Sequence, residues 1–329
     1  MTDPETILLT GATGFVGRYV YPALHAAGYR VRCASRRPER AQLDFPKKEW
    51  VAFDAEDPAT IGPALDGCGA ALFLVHGMGD DAQDYPERER ASALAFREAA
   101  AAAGLRRVVY LGGVAPQGRP SKHLQSRLDT GAALREGAVS TIELRAAMIV
   151  GVGSSSWQMV RDLARRLPAM LLPRWLRNHS WPVSIDDVVA ALLIALARPG
   201  ESSDWYDVPG PERITHRDLM VRVARHMGKS PRMISVPVLS PRLSSYWIGL
   251  VTRTDLKLAR ELVEGLRFDL DPSGPSIWEL APDHTLQGLD ATIREALDEE
   301  DRRFYPTVEH VEKLEALGAR LAERSRPRA

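Results

Sequence analysis

Short β-branched and aliphatic runs alternate with helical stretches through the first half of the chain, the signature of a parallel sheet with helical crossovers. The runs predict strands at Ile7–Thr10, Arg30–Ala34, Trp50–Phe53, Ala70–Val75, Val108–Leu111, Thr141–Val150 and Trp205–Val208. Helices are expected at Val16–Ala27, Pro58–Leu65, Glu87–Gly104, His123–Glu136 and Ile185–Ala197. Gly104 makes a good left-handed stop for the third of these. After residue 210 the pattern changes. Thr215 can cap a helix through Gly228, Met233–Val238 reads as a short strand, and Pro241–Leu266 is mostly helical in character. Val311–Leu321 is periodic enough for an amphipathic helix.

The first strand runs into Thr10-Gly11-Ala12-Thr13-Gly14-Phe15-Val16-Gly17, which opens the first helix. That context gives the glycine pattern its meaning. Gly11 permits the tight turn, Gly14 lets backbone approach a pyrophosphate, and Gly17 lets helix and strand pack closely. The helix start offers N–H groups to the phosphates. Arg18-Tyr19 follows where a P-loop needs Lys-Ser or Lys-Thr, so a P-loop is excluded. These features define a doubly wound α/β fold of the Rossmann type. Residues 1–210 are expected to be the NAD(P)-binding domain, and 211–329 a smaller substrate or lid portion.

The end of the second strand selects the dinucleotide. An NAD site places an acid there for the ribose 2′-hydroxyl. This chain has Ser35-Arg36-Arg37-Pro38, with no acid before Glu39. Two guanidinium groups and a hydroxyl suit a 2′-phosphate, so NADP is expected over NAD. Asp54, just past the third strand, either meets the adenine edge or simply begins a loop. His76 stands at the carboxyl end of the fourth strand, where open α/β sheets hold ligands; its alternative is a loop histidine bonded to backbone.

Composition narrows the partners. Lys plus Arg equals Asp plus Glu at 43 each, so nothing marks a polyanion binder and nucleic acid is not expected. Cys33 and Cys68 have neither metal-ligand spacing nor partners for a disulfide framework, and the histidines form no ligand pattern, so no metal is expected. No apolar run reaches the roughly 18–20 residues that span a bilayer, and the acidic N-terminus is unlike a signal peptide. A cytoplasmic protein is expected.

Taken together, these motifs resemble the atypical short-chain dehydrogenase/reductases. The similarity lies with the NmrA-like and YbjT-like NAD(P)-binding proteins, related to an accessory subunit of respiratory complex I. It rests on the glycine loop, Leu72–Gly77, Val109–Gly113, Glu143–Gly151, Trp205–Gly210 and Leu239–Tyr246. It implies the strand order 3-2-1-4-5-6-7. It also implies cofactor contacts from Val75, His76, Gly77, Leu111 and Gly112, with Arg145 bracing the cofactor pocket.

The family's Tyr-x-x-x-Lys pair is missing from the helix after the fifth strand, and Gly112-Gly113 stand where its Ser would come. That helix reads Ser121-Lys122-His123-Leu124-Gln125-Ser126-Arg127. His123 and Arg127 share one face at i, i+4. An imidazole can act as general acid and a guanidinium can hold ribose hydroxyls; the alternatives are a cofactor-positioning pair or a structural one. The stretch Trp157–Trp175 brings Trp157, Met159, Met170, Leu171, Leu172 and Trp175 after the sixth strand. It suits a bulky apolar substrate, and equally a core or an interface in a homodimer or with a partner protein. Arg161, Arg165, Arg166 and Arg174 face either an anionic group or water. Ser154 reads as an N-cap. Two functions follow: an NADP(H)-dependent oxidoreductase acting on an apolar, quinone-like small molecule, or a non-catalytic NADP(H)-binding redox sensor or assembly factor.

Overall fold

The computed structural model describes residues 4–75, 84–166, 169–172, 174–230, 232–235, 261, 263–300 and 308–325. Seven strands form one parallel sheet: β1 (Thr6–Leu9), β2 (Arg30–Ser35), β3 (Glu49–Ala52), β4 (Ala70–Phe73), β5 (Arg107–Gly113), β6 (Ser140–Ala146) and β7 (Asp204–Val208). Their order is β3-β2-β1-β4-β5-β6-β7, the order expected. It reverses beside β1, where Leu9 lies opposite Cys33 of β2 on one side and Leu72 of β4 on the other. A crevice opens at the carboxyl ends of strands at such a switch point.

Ten helices are labelled: α1 (Phe15–Ala26), α2 (Pro38–Asp44), α3 (Pro58–Leu65), α4 (Tyr85–Ala102), α5 (Lys122–Arg135), α6 (Ser155–Arg166), α7 (Ile185–Ala197), α8 (His216–His226), α9 (Leu289–Glu300) and α10 (Val308–Ser325). The strand period of two sends Ile7 and Leu9 into a core with α1 and α7, while Leu8 enters the opposite core with α3, α4 and α5. A third cluster joins α6, α8 and α9 through Trp157, Leu163, Met220 and Ile293.

The expected strand Thr141–Val150 is in fact two. β6 leaves the sheet after Ala146, and Ile149–Val150 pairs with Val183–Ser184 instead. The break turns Ala146–Met148 onto the cleft wall. Helix α2 leaves no apolar stripe because only Ala41 of it is buried. The buried face of α9 is just as hard to read, since it includes Thr292, Ala296 and Glu299. Of Pro241–Leu266, only Glu261 and 263–266 lie within the described residues, and Arg232–Ser235 is the described part of the strand expected at Met233–Val238.

The tail docks on its own chain. Helix α10 packs on α1 and α7, and a Cβ on Gly318 would stand 2.0 Å from the Ala23 carbonyl oxygen. His310 pins it, with Nε2 2.6 Å from Asp186 Oδ1 and Nδ1 bonded to Glu299. Tyr19 of α1 donates to Glu299 Oε2 at 3.2 Å, and Lys313 supplies positive charge beside Asp186 and Glu295. Burial alone would lower the His310 pKa, but the hydrogen bonds and charges of Asp186 and Glu299 raise it to about 9.

Candidate active site

A cleft of about 1120 Å³ runs along the carboxyl ends of β1, β2, β4, β5 and β6. The glycine loop forms its floor. Gly11 has φ +63°, and the Gly14 N–H donates to the Gly11 carbonyl at 2.8 Å to close the turn. A Cβ on Gly17 would stand 2.3 Å from that same oxygen, so the helix meets the loop only without a side chain there. No side chain caps α1 at Gly14. The first-turn N–H groups of the helix are therefore left for an anion, and this cradle fits a dinucleotide pyrophosphate.

Gly11, Thr13, Gly14, Phe15, Val16 and Gly17 line the cleft, as do Ser35, Arg36, Arg37, Asp54 and Val75. Arg36 and Arg37 are exposed and form no ion pair among the described residues. Ser35 Oγ accepts from the Arg37 N–H at 3.1 Å, shaping the turn that carries both guanidinium groups. Asp54 Oδ1 accepts from the Glu56 N–H at 3.1 Å, so it begins a loop while facing the cleft. Thr10 lies behind the loop instead. Its hydroxyl donates to Leu72 O at 3.1 Å and accepts from Leu74 N at 2.8 Å, tying β1 to β4. His76 and Gly77 lie outside the described residues.

Further along, Leu111 and Gly112 line the cleft with His123 and Arg127. Ser121 caps α5 by accepting from Leu124 N at 3.3 Å. His123 is buried at 8% exposure. Arg127 Nη2 donates to Leu111 O at 2.7 Å, Tyr110 Oη donates to Arg127 O at 3.2 Å, and Gly113 leaves room for the Arg127 stem. Arg145 does not line the cleft. Its guanidinium pairs with the buried Glu143 at 2.8 Å and lies 3.9 Å from the Trp205 ring centroid, so it braces β6 against β7. Arg135 of α5 reaches the same carboxylate at 2.9 Å.

The far wall comes from α6, α8 and the segment after 260. Met159, Val160, Leu163, Leu176, Met220, Leu266 and Leu270 line it. Trp157 is fully buried in the core, and Met170, Leu171, Leu172 and Trp175 are described only in backbone. Arg161 is taken up by Asp162 and Glu300, while Arg165 is exposed. Ser154 does cap α6, accepting from Trp157 N at 3.4 Å.

Several cleft residues escape sequence reasoning, among them Tyr85, His216 and Glu261. Each of these three holds a buried polar atom with no partner among the described residues. Burial raises the Tyr85 and Glu261 pKa values, and neighbouring carboxylates reinforce both shifts. Burial lowers His216 to about 4. None of the three stands in a motif; the fold alone brings them together.

Residues 11–140 match the NAD(P)H-binding family model. A (4-alkanoyl-5-oxo-2,5-dihydrofuran-3-yl)methyl phosphate reductase of Streptomyces griseus is 32% identical over 240 residues, covering 72% of this chain and 79% of the relative. A ceramide reductase of Caulobacter vibrioides is 26% identical over 294 residues, 85% of this chain and 90% of the relative. The triphenylmethane reductase of Citrobacter sp., solved with NADP(H), superposes with a TM-score of 0.69 at 18% identity, over 88% of this chain and 99% of that one. The chain belongs to the NAD(P)H-binding reductase family. Among the described residues no helix is long and apolar enough to cross a membrane.

Proposed function

We propose that the protein is an NADP(H)-dependent reductase of an apolar carbonyl or quinone-like small molecule, with His123 as proton donor. The observation that carries this reading is one continuous cleft, joining the glycine loop, the His123–Arg127 face of α5 and an apolar far wall. Its relatives are reductases, one of them acting on ceramide, and that supports a substrate with a large apolar body.

In this reading the glycine loop binds the pyrophosphate, while Ser35, Arg36 and Arg37 hold the 2′-phosphate. Asp54 meets the adenine edge, and Val75, Leu111 and Gly112 border the nicotinamide half. Arg127, fixed by the Leu111 carbonyl, contacts the ribose. Bound NADPH supplies hydride. His123 gives the substrate oxygen its proton, and the apolar wall excludes water. Residues 1–210 hold the cofactor and supply α6 to the substrate side, and 211–329 add His216, Met220 and Leu266.

A second reading, a dinucleotide-binding sensor or assembly factor, draws on one sequence feature: α5 carries His123 and Arg127 at i, i+4 where the resemblance implies Tyr and Lys. Assays of NADPH oxidation against quinones, enones and long-chain ketones separate the two. Under the reductase reading, His123→Ala lowers kcat by about 10²–10⁴-fold with NADPH affinity nearly unchanged. Arg127→Ala instead weakens NADPH binding. Wild-type turnover in His123→Ala removes the imidazole from the reaction, and NADPH binding without turnover of any substrate favours the sensor.

A further inference from the structure

His216 opens α8, and its side chain is 5% exposed on the cleft wall. One turn along the same helix, Met220 lines the cleft too. Met159, Leu163, Leu176 and Leu266 line the cleft with them. His216 Nε2 is buried and has no hydrogen-bond partner among the described residues. A buried polar atom left unpaired costs about 1–3 kcal/mol, so native proteins seldom keep one without a use.

The imidazole is also uncharged. Asp269 and His179 are the ionisable groups that act on it, and they oppose each other. The Asp269 carboxylate is already engaged, 3.1 Å from Arg213 and 3.3 Å from His179 Nδ1. Burial therefore decides the matter and holds His216 neutral. A neutral ring offers no counter-charge for an anionic or cationic ligand. What it does offer is one hydrogen bond, and either tautomer can form it with a hydroxyl, which both donates and accepts.

We propose that His216 is a specificity-determining residue that selects an uncharged, apolar substrate bearing a hydroxyl on the part of its body that meets the α8 wall. This deepens the reductase reading and rests on it only in taking the far wall as the substrate side.

The test is equilibrium dialysis of 2-naphthol and naphthalene against the NADP⁺-saturated protein. Wild type should hold 2-naphthol about tenfold more tightly than naphthalene, the worth of one buried hydrogen bond. His216→Leu should bring 2-naphthol down to the naphthalene level and leave naphthalene within about twofold. No preference in the wild type, or an unchanged preference in His216→Leu, overturns the proposal. NADPH binding reports whether the variant folds. If it does not, the ¹⁵N imidazole spectrum of the wild type decides: 2-naphthol, but not naphthalene, must shift the ring that stays neutral down to about pH 4. Identical spectra overturn the proposal. None of these readouts needs turnover. A protein that prefers naphthol through His216 but never oxidises NADPH therefore refutes the reductase reading alone.

Discussion

Arg36 and Arg37 stand exposed at the end of β2 and form no ion pair among the described residues, so their charge is available to a ligand. A charge-assisted contact to a 2′-phosphate contributes about 1.5–3 kcal/mol. Arg36→Ala should therefore weaken NADPH by about 10–100-fold and leave NADH unchanged, narrowing the gap between the two in calorimetry. Equal affinity of the wild type for both dinucleotides would refute the role of the pair. This part of the site is legible in sequence because the glycine loop and the β2 end are contiguous motifs, each residue being dictated by backbone geometry or ligand charge. His216, Tyr85 and Glu261 are not legible, because they come from three distant segments and only the folded chain brings them to one cleft. Thr10 and Arg145 mark the opposite limit. Both sit beside the cleft in sequence terms, yet side-chain direction turns Thr10 between β1 and β4 and Arg145 onto Glu143 and Trp205.

At the scale of elements, β1, β4 and β5 are the most readable strands, because they are buried on nearly every residue and carry aliphatic or aromatic runs. Helix α10 is readable as amphipathic, but its docking place is not. That place depends on Gly318, whose missing side chain lets α10 meet the α1 backbone at Ala23. Gly318→Val would put a branched side chain against a main-chain carbonyl that cannot move aside without distorting α1. Overpacking of this kind costs about 1–3 kcal/mol. The expected outcome is a lower melting temperature and protease cleavage near α10, while NADPH binding survives because the glycine loop lies at the other end of α1. Melting and proteolysis like the wild type's would show that the α1–α10 contact tolerates a side chain. A Cβ on Gly131 of α5 likewise would stand 2.3 Å from Glu143 Cδ, so α5 approaches β6 only because glycine leaves room for a buried carboxylate held by Arg135 and Arg145. Neither glycine carries a turn signal in the sequence, since what each one accommodates is a neighbour rather than a backbone angle.

For the molecule as a whole, two buried histidines tie stability to pH in opposite senses. His310 binds its proton more tightly when folded, with a pKa of about 9 against an ordinary value near 6.5. Its contribution is complete below pH 6.5 and is lost as pH rises through 9. A shift of that size corresponds to on the order of 3 kcal/mol. His216 is held at about 4, so between pH 4 and 6.5 the unfolded chain binds the extra proton and stability falls as the pH drops. Asp186, whose burial is outweighed by His310 and Lys313, has a lowered pKa and adds to the loss at still lower pH. Thermal melts should therefore peak near pH 6.5 and decline on both sides. His310→Gln should flatten the alkaline limb between pH 6.5 and 9 and lower the curve below pH 9, because Asp186 and Glu299 lose the cation between them. His216→Leu should flatten the acid limb between pH 4 and 6.5 and leave the alkaline one intact. The alkaline loss begins where α10 meets α1 and α7, so proteolysis near α10 should accelerate above pH 9 before the sheet unfolds. An alkaline limb in His310→Gln as steep as the wild type's would place the titrating group elsewhere and leave α10 held by packing alone.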